Sequence, residues 1–282
     1  TLDNINLTLP SGCIMGLIGE NGAGKSTTIK LILDMIHKDS GSIIILGKDN
    51  QDNIELTKED IGVVLDEVGL PECLTAQQVG NVMKHTFRNW DDAEYAQLLK
   101  KLALPEQKRF KAFSRGMKMK LGIAIAMSHN SKLLILDEPT NGLDPAGIEE
   151  MRELIKMLPK QYGMTVMISS HILSEIDQMA TVVGIINQGC LIFQERMSVL
   201  DMQREPQIIL RTSDNNHAFQ LLKKANPQRT TDGLQIGALT DEQTGAVVQC
   251  LCSNGISVYR VEEHRESLED IFLNLTGKEL TL

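Results

Sequence analysis

The segment at positions 19–27 reads Gly19-Glu20-Asn21-Gly22-Ala23-Gly24-Lys25-Ser26-Thr27, and the rest of the chain is arranged around it. Its glycines let the backbone adopt positive φ and approach an anion closely, and a following helix offers unpaired N–H groups to a phosphate. The apolar run at 13–18 predicts a buried strand before the segment, and the pattern at 27–33 predicts a helix after it. Strand, glycine-rich loop and helix together predict a phosphate-binding P-loop.

Each position of the P-loop has an expected role. All nine residues are predicted to hold the phosphates of a nucleotide, with Lys25 at the β- and γ-phosphates and the Ser26 hydroxyl as a ligand of Mg²⁺. Small-molecule kinases, GTPases and transport ATPases share this loop. The segment therefore predicts phosphate binding without choosing among these classes.

Length and composition limit the class of protein. The chain has 282 residues, of which 42% are hydrophobic, enough for one large and one small domain with packed cores. A formal net charge of −9 argues against binding through a basic surface, so no nucleic-acid partner is expected. No run of about 18 apolar residues occurs, so we expect any association with a membrane to require a partner protein.

The cysteines and the start of the chain give two further expectations. The five cysteines lack zinc spacing and are expected to be reduced thiols in a cytosolic protein. The chain starts at Thr1, without an initiator Met, and the segment 4–9 already resembles a strand. We therefore expect some N-terminal sequence to precede Thr1.

Downstream of the P-loop the pattern changes from strands to helices. Apolar runs at 43–46 and 61–65 predict two strands of a nucleotide-binding core. Helical and charged signals from about 71 to 128 predict a helical insert, which includes a capped helix starting within 90–94. A further helix is predicted over 118–127.

Two acids directly follow a buried strand predicted at 133–136. The carboxyl edge of such a sheet is where doubly wound α/β proteins place their ligands. Asp137 is therefore expected to anchor Mg²⁺, and Glu138 to act as the general base for an attacking water. After the turn at 141–145, Asp144 is expected to cap a helix.

One histidine stands in a functional context. His171 follows a strand predicted at 165–168, downstream of both the P-loop and the acid pair, and is expected to contact the γ-phosphate. The other histidines lack such a context and are expected to be surface or packing residues: His37, His85, His129, His217 and His264.

In their order and spacing these motifs resemble the ATP-binding subunits of ABC transporters. The resemblance covers most of residues 1–205 and rests on five motifs: Walker A at 19–27, a signature motif Ser114-Arg115-Gly116-Met117, Walker B at 133–138, the D-loop Gly142-Leu143-Asp144, and the switch histidine His171. Within the family, the signature and the segment 267–272 are similar to bacterial exporters of drugs, peptide antibiotics or lantibiotics.

The resemblance implies an ATPase with ATP and Mg²⁺ that works as a head-to-tail dimer. The P-loop of one subunit and Ser114 and Gly116 of the other would enclose each ATP, and Asp144 would belong to the same nucleotide site. Closure and release of the dimer would drive a separate transmembrane permease from the cytoplasmic face of the cell membrane. A second, identical chain and a different ATP-binding subunit both stay open as the dimer partner.

Three positions depart from the family pattern. Arg115 and Met117 replace the usual glycine and glutamine of the signature, whereas Ser114 and Gly116 are kept. Asp66 stands where the family's Q-loop has glutamine, and its carboxylate is expected to be an additional Mg²⁺ ligand. The aromatic residue that stacks on adenine in the family would precede Thr1.

These features predict an α/β fold: a P-loop NTPase core of ABC type over 1–205, with the helical insert, and a small C-terminal α+β domain over 206–282. Within the C-terminal part, alternating strands and helices are predicted at 207–211, 217–224, 233–236, 241–251, 256–261 and 267–275. This part carries no catalytic motif. It is expected to be a packing or dimer-stabilising module, with a regulatory ligand-binding module as the alternative.

Two alternative functions stay open at this point. A soluble ABC ATPase of translation or DNA repair is disfavoured by the single P-loop and by the absence of a long heptad insertion. A regulatory nucleotide-binding subunit with little turnover is suggested by Asp66. An ATPase assay separates that subunit from an active motor.

Overall fold

The computed structural model describes residues 2–51, 54–65, 69–203, 206–230 and 233–277. The chain divides between Met197 and Ser198 into two compact units. The boundary expected from the sequence, between residues 205 and 206, lies eight residues further along the chain.

The first unit alternates strands with helices, as the sequence predicted. Its elements are β1 Ile14–Ile18, α1 Lys25–Ile32, β2 Ile44–Ile45, β3 Lys48–Asp49, α2 Ile54–Glu59, β4 Ile61–Val64, α3 Ala76–Thr86, α4 Asp92–Lys101, α5 Arg115–Ser128, β5 Leu133–Asp137, α6 Pro145–Tyr162, β6 Thr165–Ser170, α7 Leu173–Met179, β7 Val182–Asn187 and β8 Cys190–Arg196. Six of the strands form one sheet in the order β4-β5-β6-β1-β7-β8. All neighbours pair in parallel except β8, which is antiparallel to β7.

The central strands are buried on both faces, which explains their continuous apolar sequences. Every residue of β1, β5 and β6 is buried. Leu17, Ile135 and Met167 pack into one core cluster with Ile29 of the P-loop helix. Strands covered on both faces read as apolar runs because neither face contacts water. Because β1, β5 and β6 pair in parallel, their carboxyl ends lie at the same edge of the sheet.

The helical insert contains α3, α4 and α5, and each of these helices begins at a side-chain cap. Thr75 and Gln78 form a capping box at the start of α3. Asp91 accepts hydrogen bonds from the N–H groups of Ala93 and Glu94, which confirms the capped start predicted within 90–94. Ser114 caps α5 by accepting from the Met117 N–H. The caps satisfy N–H groups that helices otherwise leave unpaired.

Two strand predictions near the N-terminus need correction. The prediction of a strand at 4–9 was wrong: the side chain of Gln194 takes the place of a paired strand, because its amide accepts from the Thr8 N–H at 3.2 Å and donates to the Thr8 carbonyl at 2.6 Å. The run at 43–46 forms only β2, which pairs with β3 in a separate two-stranded sheet. Ile44 is 68% exposed there, so this run is not a buried core strand.

The five histidines expected to be surface or packing residues are confirmed as such. Four are exposed: His37, His85, His217 and His264. His129 is buried and stacks on Phe87 with ring centroids 3.9 Å apart. Burial lowers the pKa of His129, because the charged imidazolium is disfavoured away from water. The five cysteines are free.

The second unit is an α+β module, also as predicted. Its elements are α8 Met197–Gln203, which starts at the last residue before the division, β9 Gln207–Thr212, α9 Asn215–Leu221, β10 Gln228–Arg229, β11 Leu234–Ile236, α10 Asp241–Ser253, β12 Val258–His264 and α11 Leu268–Thr276. Its four-stranded antiparallel sheet has the order β10-β11-β9-β12. Ile208, Leu210 and Leu234 form a core with Leu222 and Leu251. Within the described ranges, none of the helices has the length and apolar character that crossing a membrane requires.

The contact between β4 and α5 leaves no space for a side chain at Gly62. A Cβ atom at this position would lie 2.3 Å from Ala126 Cβ and 3.0 Å from Ser131 Oγ. We expect Gly62→Ala to lower the free energy of unfolding by about 1–3 kcal/mol, the usual cost of overpacking a core. Denaturant titration measures this change. Gly237→Ala is the control, because a Cβ there meets nothing within 4 Å; equal stability of the two variants would contradict the packing argument.

Candidate functional site

A cavity of about 390 Å³ lies at the carboxyl edge of β1, β5 and β6. Seven P-loop residues and three others line it: Glu20, Asn21, Gly22, Gly24, Lys25, Ser26, Thr27, Glu138, Asn141 and His171. The structure thus brings together the P-loop, Glu138 and His171, which the sequence analysis placed in one site. Asn141 is an additional lining residue to which the sequence analysis gave no role.

The P-loop backbone requires glycine at two positions for different reasons. Gly24, directly before α1, has φ +118, a conformation that L side chains rarely adopt. A Cβ on Gly19 would lie 2.4 Å from the Ile186 carbonyl oxygen, so the loop passes too close to β7 for a side chain. The loop therefore leads into α1 in a fixed shape, and the first three residues of that helix line the cavity, where a helix N-terminus favours an anion.

Lys25 is buried, and its ammonium lies close to three oxygen atoms. Lys25 Nζ donates to the carbonyls of Gly19 at 2.6 Å and Glu20 at 3.3 Å, and it lies 3.4 Å from Glu138 Oε1. A phosphate oxygen is the same kind of partner, with more negative charge than a carbonyl. The ammonium is therefore already positioned for an anion in the cavity.

Glu138 lies between two basic side chains. One carboxylate oxygen is 3.4 Å from Lys25 Nζ, and the other is 2.8 Å from His171 Nδ1. The residue has φ +50, in the left-handed region that costs a non-glycine residue about 1–3 kcal/mol. Its N–H donates to the carbonyl and to the hydroxyl of Ser169, at 3.2 and 3.1 Å, which stabilises this backbone conformation.

Ser169 is a site residue to which the sequence analysis assigned no role. Its hydroxyl donates to Asp137 Oδ1 and accepts from the Glu138 N–H, so one buried side chain orients both acids. Ser169 lies on β6 directly opposite Asp137 of β5. The only sign of this role in the sequence is that Ser169 is a polar residue at the end of an apolar strand. Its bonding partner depends on the register between β5 and β6, which the sequence does not reveal.

The donor atoms near the P-loop fit a magnesium ion. Ser26 Oγ lies 3.4 Å from Asp137 Oδ1, which places two hard oxygen donors side by side. Mg²⁺ commonly takes one or two protein oxygens together with water and substrate phosphates. Among the described residues no group of three or more His, Cys, Asp and Glu side chains could hold a metal without such a substrate. Asp66, the third expected ligand, lies outside the described residues.

The predicted site residues of the signature and the D-loop do not line this cavity, and neither do Gly19, Ala23 and Asp137. Ser114 and Gly116 lie at the N-terminus of α5, and Asp144 caps α6 by accepting from the Gly147 N–H at 3.0 Å. The N-terminus of α5 and the D-loop lie against each other. A Cβ atom placed on Gly116 would lie 3.5 Å from Leu143, and one placed on Gly142 would lie 3.4 Å from Arg115. The signature and the D-loop thus form a second, adjoining feature of the same unit.

Comparison with known proteins assigns the family. A family model described as ABC transporter matches residues 2–141. The bacitracin transport ATP-binding protein BcrA of Enterococcus faecalis is 33% identical over 282 residues, which cover 98% of this chain and 91% of that protein. The chain belongs to the ABC transporter family. This ABC protein is an ATP-binding subunit with ATPase activity, as the resemblance implied.

Two further comparisons agree with this assignment. The lantibiotic transport ATP-binding protein SrtF of Streptococcus pyogenes is 44% identical over 199 residues, covering 69% of this ABC protein and 83% of that relative. A dimeric structure of a bacterial ABC transporter cassette is similar with a TM-score of 0.62 at 25% identity, over 70% of this chain and 90% of that one. The predicted fold class is confirmed. Neither alternative function gains support from these relatives.

Removing the Ser169 hydroxyl tests its role in orienting the acids. We expect Ser169→Ala to lower kcat for ATP hydrolysis about tenfold, because losing a buried hydrogen bond costs about 1–3 kcal/mol and frees Asp137 and Glu138 to move. Steady-state ATPase kinetics measure this effect. Ser170→Ala is the matched control: the Ser170 side chain is also buried on β6, but among the described residues its hydroxyl bonds only to the Ile172 N–H. A kcat for Ser169→Ala equal to that of the control would show that Ser169 does not orient the acids.

Proposed function

We propose that this ABC ATPase powers the export of peptide antibiotics or similar drugs through a separate membrane permease. Support comes from the relatives, which are named as bacitracin and lantibiotic transport ATP-binding proteins and match this chain over most of their length. The chain would be held at the cytoplasmic face of the membrane by that permease. Two ATP-binding subunits would close around ATP and reopen after hydrolysis.

The proposed mechanism rests on one observation: the carboxylate of Glu138 contacts both basic side chains that line the cavity. It lies 3.4 Å from Lys25 Nζ and 2.8 Å from His171 Nδ1. The γ-phosphate of an incoming ATP is a stronger partner for Lys25 and His171 than a carboxylate, because it carries more charge and three oxygens. Its arrival would therefore release Glu138 from both contacts.

The released carboxylate is then suited to general-base catalysis. Glu138 would take a proton from a water molecule as the water oxygen bonds to the γ-phosphorus and the bond to the β-phosphate oxygen breaks, giving ADP and phosphate. Lys25 and His171 would stay on the γ-phosphate, where negative charge is redistributed in the transition state. Ser26 and Asp137 would hold Mg²⁺, which neutralises phosphate charge when it is bound with ATP.

The signature motif would complete the site from the second subunit. Ser114 and Gly116 do not line the cavity of their own chain, yet they lie at the N-terminus of α5, a 14-residue helix whose first N–H groups and dipole favour an anion. A second subunit placing this helix end at the γ-phosphate would bind ATP better in the closed dimer than in the open one. That difference in affinity is what converts ATP binding into closure.

Glu138→Gln tests the general base and its pairing with Lys25. We expect the variant to lose about 10²–10⁴-fold in kcat, the usual scale for deleting a general base. Its affinity for ATP should be equal to or higher than that of the parent, because no carboxylate competes for Lys25. ATPase assays and calorimetry measure the two quantities. Glu153→Gln, which neutralises an exposed acid on α6, is the control; parent-like turnover by Glu138→Gln would rule out the proposed base.

The transport role requires a separate experiment. Deleting the chain in its host should make the cells more sensitive to a peptide antibiotic, and restoring the parent chain, but not Glu138→Gln, should reverse this. The minimal inhibitory concentration measures the effect. Unchanged sensitivity across a panel of peptide antibiotics would contradict the proposed substrate class while leaving the ATPase mechanism intact.

A further inference from the structure

A buried acid on α7 has a single bonding partner. Glu175 lies in the first turn of this helix and is only 7% exposed. The hydroxyl of Thr140, itself 3% exposed, donates a hydrogen bond to Glu175 Oε2, and no other residue in the described part of the chain bonds to this carboxylate. Removing a carboxylate from water is costly, and one neutral hydroxyl offsets only part of that cost. Packing alone therefore does not account for an acid at this position.

Thr140 belongs to the turn that carries the proposed base. The Asn141 N–H donates to the Glu138 carbonyl at 3.2 Å. The Leu143 N–H donates to the Thr140 carbonyl, also at 3.2 Å. Pro139 lies between Glu138 and Thr140, and its ring fixes φ at about −65°, which leaves this turn little freedom. A displacement of Thr140 is therefore passed on to Glu138.

The helix α7 gives Glu175 a fixed position. Ile176, the next residue, packs against β1 at Gly16, where a Cβ atom would lie 2.2 Å from Ile176 Cγ2. Leu173 and Met179 of the same helix are also buried. Close packing of this kind leaves the helix little room to move. The hydrogen bond from Thr140 thus ties the turn after β5 to the core of the sheet.

The segment 171–175 holds this turn at two points that differ in their access to the substrate. His171, which lines the cavity, has its Nδ1 2.8 Å from Glu138 Oε2. Thr140 and Glu175 are buried and do not line the cavity. A γ-phosphate in the cavity can compete for the first contact but does not reach the second. The second contact therefore persists when ATP binds.

We propose that Glu175 is a positioning residue for ATP hydrolysis, which acts through Thr140 to keep Glu138 in place once ATP has displaced the side-chain contacts of that base. The inference rests on the proposed general base and adds what holds it during the reaction. Ser169 holds the Glu138 N–H, and Glu175 holds the same turn two residues further on. Precise placement matters, because a displacement of about 1 Å can cost about 100-fold in rate.

The test removes the bond without leaving a buried polar group unpaired. Thr140→Val combined with Glu175→Met replaces both partners by apolar side chains of similar size, which is close to neutral for stability. We expect this double variant to unfold at nearly the parent temperature and to bind ATP as tightly as the parent. Its kcat should fall about 10–100-fold, because Glu138 is no longer held where the reaction needs it. Scanning calorimetry, titration calorimetry and steady-state ATPase assays measure the three quantities.

Conservative variants should preserve the positioning. Thr140→Ser keeps a hydroxyl donor and Glu175→Gln keeps an oxygen acceptor, so each should retain kcat within about threefold of the parent. The control for losing a buried hydroxyl is Thr165→Val. Thr165 is buried at the start of β6, at the other end of this strand from the cavity, and its hydroxyl accepts from the Gly12 N–H at 2.9 Å. The control should keep the parent kcat; a loss as large as that of the double variant would overturn the inference.

Repeating the double substitution in the Glu138→Gln background shows whether it acts through the base. Once the base is absent its position no longer matters, so the residual single-turnover rate should change by less than about threefold. An equal fold loss in both backgrounds, or a parent-like kcat in the double variant, would overturn the positioning role and leave the proposed base intact. Parent-like turnover by Glu138→Gln alone would overturn the proposed base, and this inference with it.

Discussion

Parallel pairing of β1, β5 and β6 is the constraint on which the site depends. Ile18 lies opposite Ser170, and Asp137 lies opposite Ser169, so the P-loop, the acid pair and His171 leave the sheet at the same level. A one-residue slip of β5 against β6 would turn Asp137 to the other face of the sheet and separate it from Ser26. The close packing of Ile135 and Met167 in one core cluster opposes such a slip.

At the same edge of the sheet, Glu138 has a strained backbone conformation. Glu138 is held at φ +50 by hydrogen bonds to Ser169, and its carboxylate is held by Lys25 and His171. The backbone contacts depend on the fold and persist, whereas the side-chain contacts are exposed to competition from the substrate. Glu138, the proposed base, is therefore kept in position by one set of interactions, while a second set engages its carboxylate. Only the second set has to change when ATP binds.

Much of this site was accessible from the sequence, because its signals are local. Glycine spacing marks the P-loop, and an acid or a histidine directly after an apolar run marks the end of a strand. The role of Ser169 was missed because it depends on which strand lies beside β5. The strand predicted at 4–9 failed for the same kind of reason, since the side chain of Gln194, far away in sequence, replaces the strand partner.

The attachment of the segment before β1 has a consequence for local stability. Two hydrogen bonds to a single glutamine side chain hold Thr8, and one backbone bond joins Asp3 to Gly189, where a paired strand would have had a full ladder. Local opening of this segment therefore breaks few bonds, and its amide hydrogens exchange at a lower free energy than those of β1. Leu2 lies on this segment and packs over Gly24. A segment held by few hydrogen bonds thus covers Gly24, the residue at which the P-loop turns into its helix.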